Sequence, residues 1–391
     1  MESLKKIPTR FALLFALLSV QLYAVKPNII FILTDDHGYA DLGCQGIVDD
    51  VKTPFIDELA AGGVRMTNGY STAPQCSPSR AGLMTGRYQT RFNFEGNADG
   101  PLSFDETTVA TYLQGAGYIT CHTGKWHLQP TYQDGRWLLE MQGVDVSEMS
   151  ASVIHREARK IPRKEINQIV GRNLKEYMPY QRGFTYSKER NFTNIGYDGK
   201  SMPRTKIAGD GVYHLDGNNQ VAANFIREHA GDEPFFLFVA HTAPHVPLDV
   251  TEKYLKRFPR DLVGDMPERR RRALAMLSCV DDGVGMILSA LREKEIEENT
   301  VIFFMSDNGA PYKMHKEDKP GVGPGWDGSL NDPWLGEKGS VMEGALHLPY
   351  LVYWKGAIPA GQVYDQPVIT LDATATALEL AGVTPSKPLD G

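Results

Sequence analysis

Two short apolar stretches, residues 28–33 and 301–305, each run into acidic or amide side chains within three residues. These side chains are Asp35, Asp36, Asp307 and Asn308. If both stretches are parallel strands of one sheet, their carboxyl ends lie at one edge and the four side chains can meet. Three carboxylates and an amide oxygen form a hard oxygen site, which suits Ca²⁺ or Mg²⁺ better than Zn²⁺. Asp and Asn also cap helices and form turns, so only the two pairs together favour a metal.

Cys76 stands next to a segment with the signals of a helix. Pro78 suits a first helical turn and Gly86 suits a helix end. Free backbone N–H groups and the helix dipole favour an anion at such a start. Arg80 follows about one helical turn later and can lean back towards Cys76. On these residues alone, a small buried thiol is the other interpretation.

The segment Cys76-Ser77-Pro78-Ser79-Arg80, continued by Leu83-Met84-Thr85-Gly86-Arg87, resembles the C-x-P-S-R signature of formylglycine-dependent sulfatases. The resemblance is to the arylsulfatase-like type I enzymes of the alkaline phosphatase superfamily, and it extends from about Lys26 to the end. It implies that a formylglycine-generating maturation enzyme oxidises Cys76 to 3-oxoalanine. A hydrated aldehyde is a geminal diol, so one hydroxyl can attack sulfur and the other can later expel sulfate.

The same resemblance implies the ligands of the metal. They are Asp35, Asp36, the modified Cys76, Asp307 and Asn308. Calcium is the expected ion and magnesium is the alternative. Arg80 resembles the residue that holds the diol in place.

Further motifs resemble the sulfate-contacting segments of the family. Lys125 and His127 match a Gly-Lys-Trp-His motif, which implies contacts to sulfate or formylglycine. His245 matches an A-P-H-x-P segment, which implies a general acid at the leaving-group oxygen. His241 and His245 have the spacing of a zinc-binding helix, but the prolines of that segment argue against a helix. His241 is therefore expected to be structural.

Lys338 lies in a segment that resembles the family pattern G-x-K-x-x-x-x-E-G, which implies a second lysine on the sulfate. The segment departs from the pattern at two positions. His347 stands where many relatives carry arginine, and Ala345 replaces a frequent glycine. We expect these departures to affect the packing of the loop and not the chemistry.

Apolar runs alternate with helical patterns along the chain, which predicts βαβ units and a largely parallel sheet covered on both faces. The predicted strands are 28–33, 64–67, 118–122, 235–240, 301–305 and 350–353, and the predicted helices are 54–61, 79–85, 107–114, 220–229, 268–291 and 373–380. The fold class is α/β, and the resemblance makes it an alkaline-phosphatase-like sandwich. Residues 134–216 and 311–334 show weaker periodicity and are expected to be insertions beside the sheet.

The N-terminal residues have the pattern of a signal peptide. A basic head is followed by the apolar run 11–20 and by Leu22-Tyr23-Ala24, which predicts a signal peptide over residues 1–24. We expect a secreted or periplasmic protein without a stable membrane anchor, an uncleaved anchor being the alternative. Residues 25–391 then form the catalytic domain. Relatives continue past a phrase like Leu389-Asp390-Gly391, so the small C-terminal subdomain is expected to be missing or truncated.

Composition limits the other options. The 391 residues carry a formal net charge of -7, which gives no basic excess for binding nucleic acid. The chain has only four cysteines, which allow at most one disulfide if Cys76 is modified. The run Arg269–Arg272 is expected to be a solvated face, and Asp281 and Asp282 are expected to be structural.

A sulfated carbohydrate is the expected substrate. Export, long insertions and tryptophans that could stack on a sugar ring favour it, namely Trp126, Trp137, Trp326 and Trp334. A phosphonate or phosphate ester hydrolase on the same scaffold is one alternative, although phosphatases there use Ser or Thr where this chain has Cys76. A non-catalytic binder of sulfated glycans is another, although none of the predicted site residues is lost.

Overall fold

The computed structural model describes residues 26–187, 213–231, 233–263, 267–311 and 328–391. The strands in these ranges form one sheet. Its strands are β1 (Asn28–Asp35), β2 (Val64–Tyr70), β3 (Ile119–Gly124), β4 (Tyr186–Ser187), β5 (Phe235–Pro244), β6 (Thr300–Ser306), β7 (His347–Tyr353), β8 (Gln362–Tyr364) and β9 (Val368–Ile369). The spatial order is β4-β3-β5-β1-β6-β7-β2-β8, and β9 pairs with β2. β1 is parallel to β5 and β6, and β3 is parallel to β4 and β5. β7 is antiparallel to both of its neighbours.

The central strands are apolar on both faces, as parallel strands between two helical layers must be. Successive side chains of a strand point to opposite faces, so β1 contributes to two separate cores. Ile30 and Ile32 pack in one core, and Ile29, Phe31 and Leu33 pack in the other. This double burial explains why β1 appears in the sequence as an unbroken apolar run.

Helices cover both faces of the sheet. They are α1 (Pro54–Gly62), α2 (Cys76–Thr85), α3 (Val109–Gly115), α4 (Gly135–Glu140), α5 (Ala151–Ala158), α6 (Arg163–Asn173), α7 (His214–His229), α8 (Glu252–Leu255), α9 (Arg260–Val263), α10 (Glu268–Glu293), α11 (Glu343–Leu346) and α12 (Thr370–Leu380). Helices α1, α7 and α10 pack in one core, and α2, α3 and α12 pack in the other. The predicted α/β sandwich with a mainly parallel central sheet is therefore confirmed.

Each predicted strand and helix is present, with shifted boundaries. Helix α7 begins at His214, earlier than the predicted residue 220. Strands β4, β8 and β9 were not predicted, because they are two or three residues long and not fully buried. Short, half-exposed strands carry no apolar run that periodicity can detect.

The region predicted as an insertion, residues 134–216, contains helices α4, α5 and α6. These helices enclose a small core of their own, which includes Trp137, Ile154 and Ile166. Residues 188–212 and 312–327, with Trp326, lie outside the described residues, as does the predicted signal peptide.

The long helix α10 is the element of the described ranges that is apolar and long enough to cross a membrane. Most of its apolar stretch is buried against the sheet and α7, as in the core helix of a soluble domain. At its start, the expectation of a solvated arginine face is wrong for Arg270, which is buried. Arg271 and Arg272 pair with Glu268. All four cysteines are free thiols.

Candidate active site

The side chains predicted to do chemistry converge at one edge of the sheet. Asp35 ends β1, Lys125 follows β3, His245 follows β5 and Asp307 follows β6. These four strands are adjacent and parallel, so their carboxyl ends share one edge. This is the edge at which open α/β sheets bind ligands.

Cys76 is the first residue of α2, not the residue before it as the sequence suggested. Gly86 ends the helix in the left-handed region, with φ of 67°. The buried Sγ lies 3.3 Å from Asp35 Oδ1 and 3.8 Å from Asp36 Oδ1. Burial raises the pKa of the Cys76 thiol although Lys125 lowers it, so an unmodified Cys76 stays protonated. A protonated thiol is a poor nucleophile.

The start of α2 is held by a residue that sequence reasoning missed. Gln75 occupies the N-cap position but makes no side-chain capping bond. Instead, Ser77 N donates to Asn97 Oδ1 at 3.0 Å, and Asn97 N donates to Gln75 Oε1 at 3.0 Å. Because Gln is a poor N-cap residue, its place before the helix was a signal that a remote acceptor would be needed.

The carboxylates and the amide of the site form one connected group. Asp36 adopts a left-handed backbone conformation, with φ of 60°, which Asp tolerates better than most residues. Its N–H lies 3.3 Å from Asp307 Oδ1, and its Oδ1 accepts from Asn308 Nδ2 at 2.7 Å. Asn308 Oδ1 is buried and has no hydrogen-bond partner among the described residues.

These residues fit a divalent cation. Ligand atoms of Asp35, Asp36, Cys76 and His245 lie within 4.8 Å of one another. The orphaned Asn308 Oδ1 is an acceptor that a cation would satisfy, since buried acceptors without a partner are costly. A donor set made mostly of oxygens suits a hard cation.

Two lysines neutralise the first two carboxylates. Lys125 Nζ lies 2.6 Å from Asp35 Oδ2, and Lys338 Nζ lies 2.8 Å from Asp36. Burial alone would raise the pKa of both carboxyls, but the lysines hold them below the ordinary value. In return, the carboxylates keep the pKa of each lysine raised against the effect of burial.

Arg80 holds the third carboxylate. Its Nε and Nη2 each lie 2.8 Å from Asp307 Oδ2, and its Nη1 donates to the carbonyl of Lys125 at 2.9 Å. Burial, together with nearby Asp35, raises the pKa of Asp307 to about 7 despite Arg80. A bound cation would act in the opposite direction and favour the carboxylate.

The fixed charges of the site are balanced. The carboxylates of Asp35, Asp36 and Asp307 pair with the side-chain cations of Lys125, Lys338 and Arg80. A bound divalent cation would add two positive charges. With a divalent cation bound, the site would carry excess positive charge and attract anions, although the whole chain carries a net charge of -7.

Two histidines border this group. His245 Nδ1 donates to the carbonyl of Val246 at 2.5 Å, and its Nε2 lies 3.5 Å from Asp36 Oδ2. Burial lowers the pKa of His245 although Asp36 raises it. Burial, with Lys125 adding to it, holds the pKa of His127 well below its usual value. His127 Nδ1 is buried and has no partner in the described ranges.

His241 does not reach the site. It lies within β5, fully buried, and the predicted helix-free conformation of this segment is confirmed. Burial, with nearby His214 adding to it, lowers its pKa to about 3. His241 is therefore a neutral core residue, as expected.

The departure at His347 is accommodated by aromatic packing. The fully buried ring stacks on Trp334 with 4.6 Å between centroids, and its Nε2 lies 2.6 Å from the carbonyl of Thr67. Its Nδ1 lies 3.1 Å from Glu343. The loop that carries Lys338 is thus packed although arginine is absent.

The expectation that tryptophans stack on a sugar is wrong for two of them. Trp126 is 1% exposed and donates to the carbonyl of Tyr177, and Trp137 lies in the small core of the insertion. Trp334 is half-buried against His347. A buried indole ring cannot offer its face to a ligand.

A family model described as Sulfatase matches residues 27–383. The chain belongs to the sulfatase family. It is 31% identical over 381 residues to human N-acetylgalactosamine-6-sulfatase. The aligned region covers 93% of this chain and 64% of that protein. This family member therefore spans about two thirds of the length of its human relative.

The chain shares its fold with solved structures. Ps i-CgsB, solved in complex with k-i-k-neocarrahexaose, has a TM-score of 0.70 and 29% identity, with 94% of this chain and 74% of that chain covered. Phosphonate monoester hydrolase of Agrobacterium radiobacter shares the fold with a TM-score of 0.61 at 21% identity, over 93% and 75% of the two chains.

Proposed function

We propose that this chain hydrolyses sulfate esters, with Cys76 matured to formylglycine as the nucleophile. The observation that carries this proposal is the meeting of Cys76 with three buried carboxylates and three fixed cations at one sheet edge. The metal ligands we propose are Asp35, Asp36, the modified Cys76, Asp307 and Asn308. The donor set supports Ca²⁺ as the ion, with Mg²⁺ as the alternative.

The two groups supply chemistry that the unmodified chain lacks. Formylglycine, once hydrated, offers one hydroxyl to attack sulfur and a second to release sulfate. A bound divalent cation supplies a Lewis acid that favours the deprotonated nucleophile.

The side chains of the chain itself bind and orient the anion. Lys125 and Lys338 carry charged ammonium groups beside Cys76, and we propose that they bind the sulfate oxygens. Arg80 donates to Asp307, and we propose that it would hold the modified side chain in one orientation. His127 is close enough to Lys125 and Arg80 for both to affect its pKa, and we propose that it also contacts the sulfate or the nucleophile.

His245 has the position of a general acid. Because its Nδ1 bonds to a carbonyl, its Nε2 is the nitrogen that faces the site. We propose that protonated Nε2 delivers a proton to the leaving-group oxygen, which matters most for alkoxide leaving groups such as sugars.

A sulfated carbohydrate is the substrate class we propose. The human relative is named for a sugar sulfate, and Ps i-CgsB was solved with an oligosaccharide. The likeness to the phosphonate monoester hydrolase rests on the fold and supports no phosphonate substrate by itself.

We also propose that a formylglycine-generating maturation enzyme is a partner of this chain, and that the chain is exported. The complete pentad around Cys76 supports the first. The basic head and apolar run of residues 1–24 support a secreted or periplasmic location.

Release of sulfate from a panel of sulfated oligosaccharides tests the function. The enzyme is co-expressed with a formylglycine-generating partner and assayed beside C76A and a matched control, C44A. Cys44 is a half-buried thiol away from the carboxylates of the site, so we expect C44A to retain turnover. We expect C76A to lose sulfate release by at least about 1,000-fold, since it removes the nucleophile.

Two results would contradict the proposal. Appreciable sulfate release by C76A would remove Cys76 from the nucleophile role. Faster hydrolysis of phosphonate or phosphate monoesters than of every sulfate ester in the panel would favour the alternative function.

A further inference from the structure

The buried guanidinium of Arg270 donates from all three of its nitrogens. Its Nη1 donates to both oxygens of Asp41 at 2.8 Å and to the carbonyl of Gly328 at 3.0 Å. Its Nε and Nη2 lie 2.9 Å and 2.6 Å from the carboxylate of Asp50. Burial alone would lower the pKa of Arg270, but the two carboxylates hold it above its usual value. Such a group is rigid, because each donor has a fixed direction.

Asp41 connects this guanidinium to a second loop. Its Oδ2 accepts from Ser329 Oγ at 2.6 Å and from Leu330 N at 3.1 Å. Ser329 Oγ in turn accepts from Gly38 N at 2.9 Å. The carboxylate of Asp41 therefore ties the loop that follows the metal-binding pair of β1 to residues 328–331, beside a backbone bond from Ala40 N to the carbonyl of Leu330 at 3.0 Å.

The connection continues from residues 328–331 to Lys338. Asn331 Nδ2 donates to the carbonyls of Ala310 at 2.8 Å and Gly336 at 3.1 Å, and its Oδ1 accepts from Ala310 N at 2.9 Å. Lys338 N donates to the carbonyl of Ala310 at 3.1 Å. Asn331 therefore fixes both Ala310, to which the backbone of Lys338 is bonded, and Gly336, which lies two residues before Lys338.

Both members of the Lys338–Asp36 ion pair depend on the same carboxylate. Asp36 lies two residues before Gly38, and Lys338 lies two residues after Gly336. Asp41 reaches the first through Ser329 and the second through the loop of Asn331. Asp41 contacts neither the nucleophile nor the sulfate-binding cations. Its backbone carbonyl accepts from His37 Nε2 at 2.9 Å, a bond that a change of the side chain leaves in place. An effect of the carboxylate on sulfate binding would therefore pass through this network.

We propose that Asp41, fixed by Arg270, is a positioning residue that sets the place of Lys338 for sulfate binding. The inference rests on the proposed function, in which Lys338 binds the sulfate. Neutralising Asp41 removes one of the two carboxylates of Arg270 and loosens residues 328–331. Lys338 then occupies a wider range of positions and binds sulfate more weakly.

A double-mutant cycle tests the proposal with inorganic sulfate as the probe. Metal-loaded wild-type protein, D41N, K338A and the double variant are titrated with sulfate by calorimetry. We expect D41N to weaken binding about 10-fold in the wild-type background, and less than about 2-fold in the K338A background, where its effect has no route. Turnover of a sulfate ester should show the same pattern in KM, with a smaller change in kcat.

E106Q is the matched control. Glu106 is also a buried carboxylate in an ion pair, with Arg87 at 2.6 Å, beyond the end of α2 that is remote from Cys76. We expect E106Q to lower the melting temperature without a change in sulfate affinity. S329A serves in the same cycle if D41N does not fold, since it removes the link between Asp41 and Gly38.

Additive effects of D41N and K338A would overturn the proposal, and so would an equal loss of affinity in E106Q. If the wild-type protein neither binds sulfate nor releases it, the proposed function fails. Positioning is then decided by a crystal structure of D41N. Lys338 Nζ unmoved beside Asp36 overturns the proposal, and a displaced Lys338 supports it.

Discussion

Buried charge is the main feature of this site at the scale of single residues. Asp35 and Asp307 are fully buried, and neither would remain ionised without a partner. The chain supplies Lys125 and Arg80 as those partners, at distances of 2.6–2.8 Å. Lys125 lowers the pKa of Asp35 and is also one of the two lysines that we propose to bind the sulfate, so at this residue stability and the proposed function rest on the same contact.

His245→Ala is the test at this scale. We expect the variant to slow sugar sulfates at least about 10-fold more than aryl sulfates, since aryl leaving groups need less protonation. The comparison is made as kcat/KM on both substrate types with one enzyme preparation, so the content of formylglycine cancels. Equal losses on the two substrate types would remove His245 from the acid role.

At the scale of elements, helix α2 shows how a distant loop can complete a local structure. The helix begins at Cys76 and has no acidic residue in its first turn and no local side-chain cap. Asn97 supplies the missing acceptor to Ser77 N. The place of Cys76 therefore depends on the loop around Asn97 as well as on the helix itself.

We expect Asn97→Ala to lower the free energy of unfolding by about 1 kcal/mol and kcat by about 10-fold, because the start of α2 loses its cap and Cys76 shifts. T108A is the matched control. Thr108 caps α3 through Thr111 N at 3.1 Å, so its loss should cost similar stability and leave kcat unchanged. Denaturant unfolding and steady-state kinetics measure the two effects, and unaltered kcat in N97A would contradict the expectation.

At the scale of the whole molecule, a side chain of α10 holds the start of α1, a helix that is far away in the sequence. Asp281, buried in the middle of this helix, accepts from the N–H groups of Phe55 and Ile56 at 2.9 Å and 2.8 Å. It therefore caps α1 from outside, since Thr53 makes no capping bond. The structural role predicted for Asp281 is confirmed.

Asp281 also predicts a dependence of stability on pH. Burial raises its pKa to about 7, against the effect of the two N–H groups. The folded pKa lies above the unfolded value, so the native state keeps a proton that the unfolded chain releases. The resulting stabilisation is complete below about pH 4 and is lost as pH rises to about 7, by at most about 4 kcal/mol.

We expect Asp281→Asn, which keeps an acceptor oxygen without the titration, to gain stability relative to the wild type as pH rises from 4 to 7. Urea unfolding at several pH values measures the difference. D282N is the matched control, because neighbouring Asp282 forms a partly exposed ion pair with Arg257. Parallel curves for wild type and D281N would show that Asp281 does not titrate in this range.

Much of this protein could be predicted because its signals are local. The central strands are continuous apolar runs, and the pentad at Cys76 is a contiguous motif. Each site side chain follows directly on a buried strand or lies in a short motif. Parallel strands then bring the ends together by geometry, so the meeting of Asp35 and Asp307 followed from fold class alone.

The sequence by itself determined the fold class, the nucleophile candidate and the set of charged residues at the site. Only the tertiary structure decided which of two adjacent residues is buried and which remote partner each one contacts. Arg270 is buried while the adjacent Arg269 is only partly buried, and Trp126 is core although it lies between Lys125 and His127. Gln75 indicated that the start of α2 needs a remote acceptor, but nothing in the sequence indicated that this acceptor is Asn97. The reason is physical: these roles depend on long-range contacts between loops, and residue type and spacing carry no record of which remote partner a side chain meets.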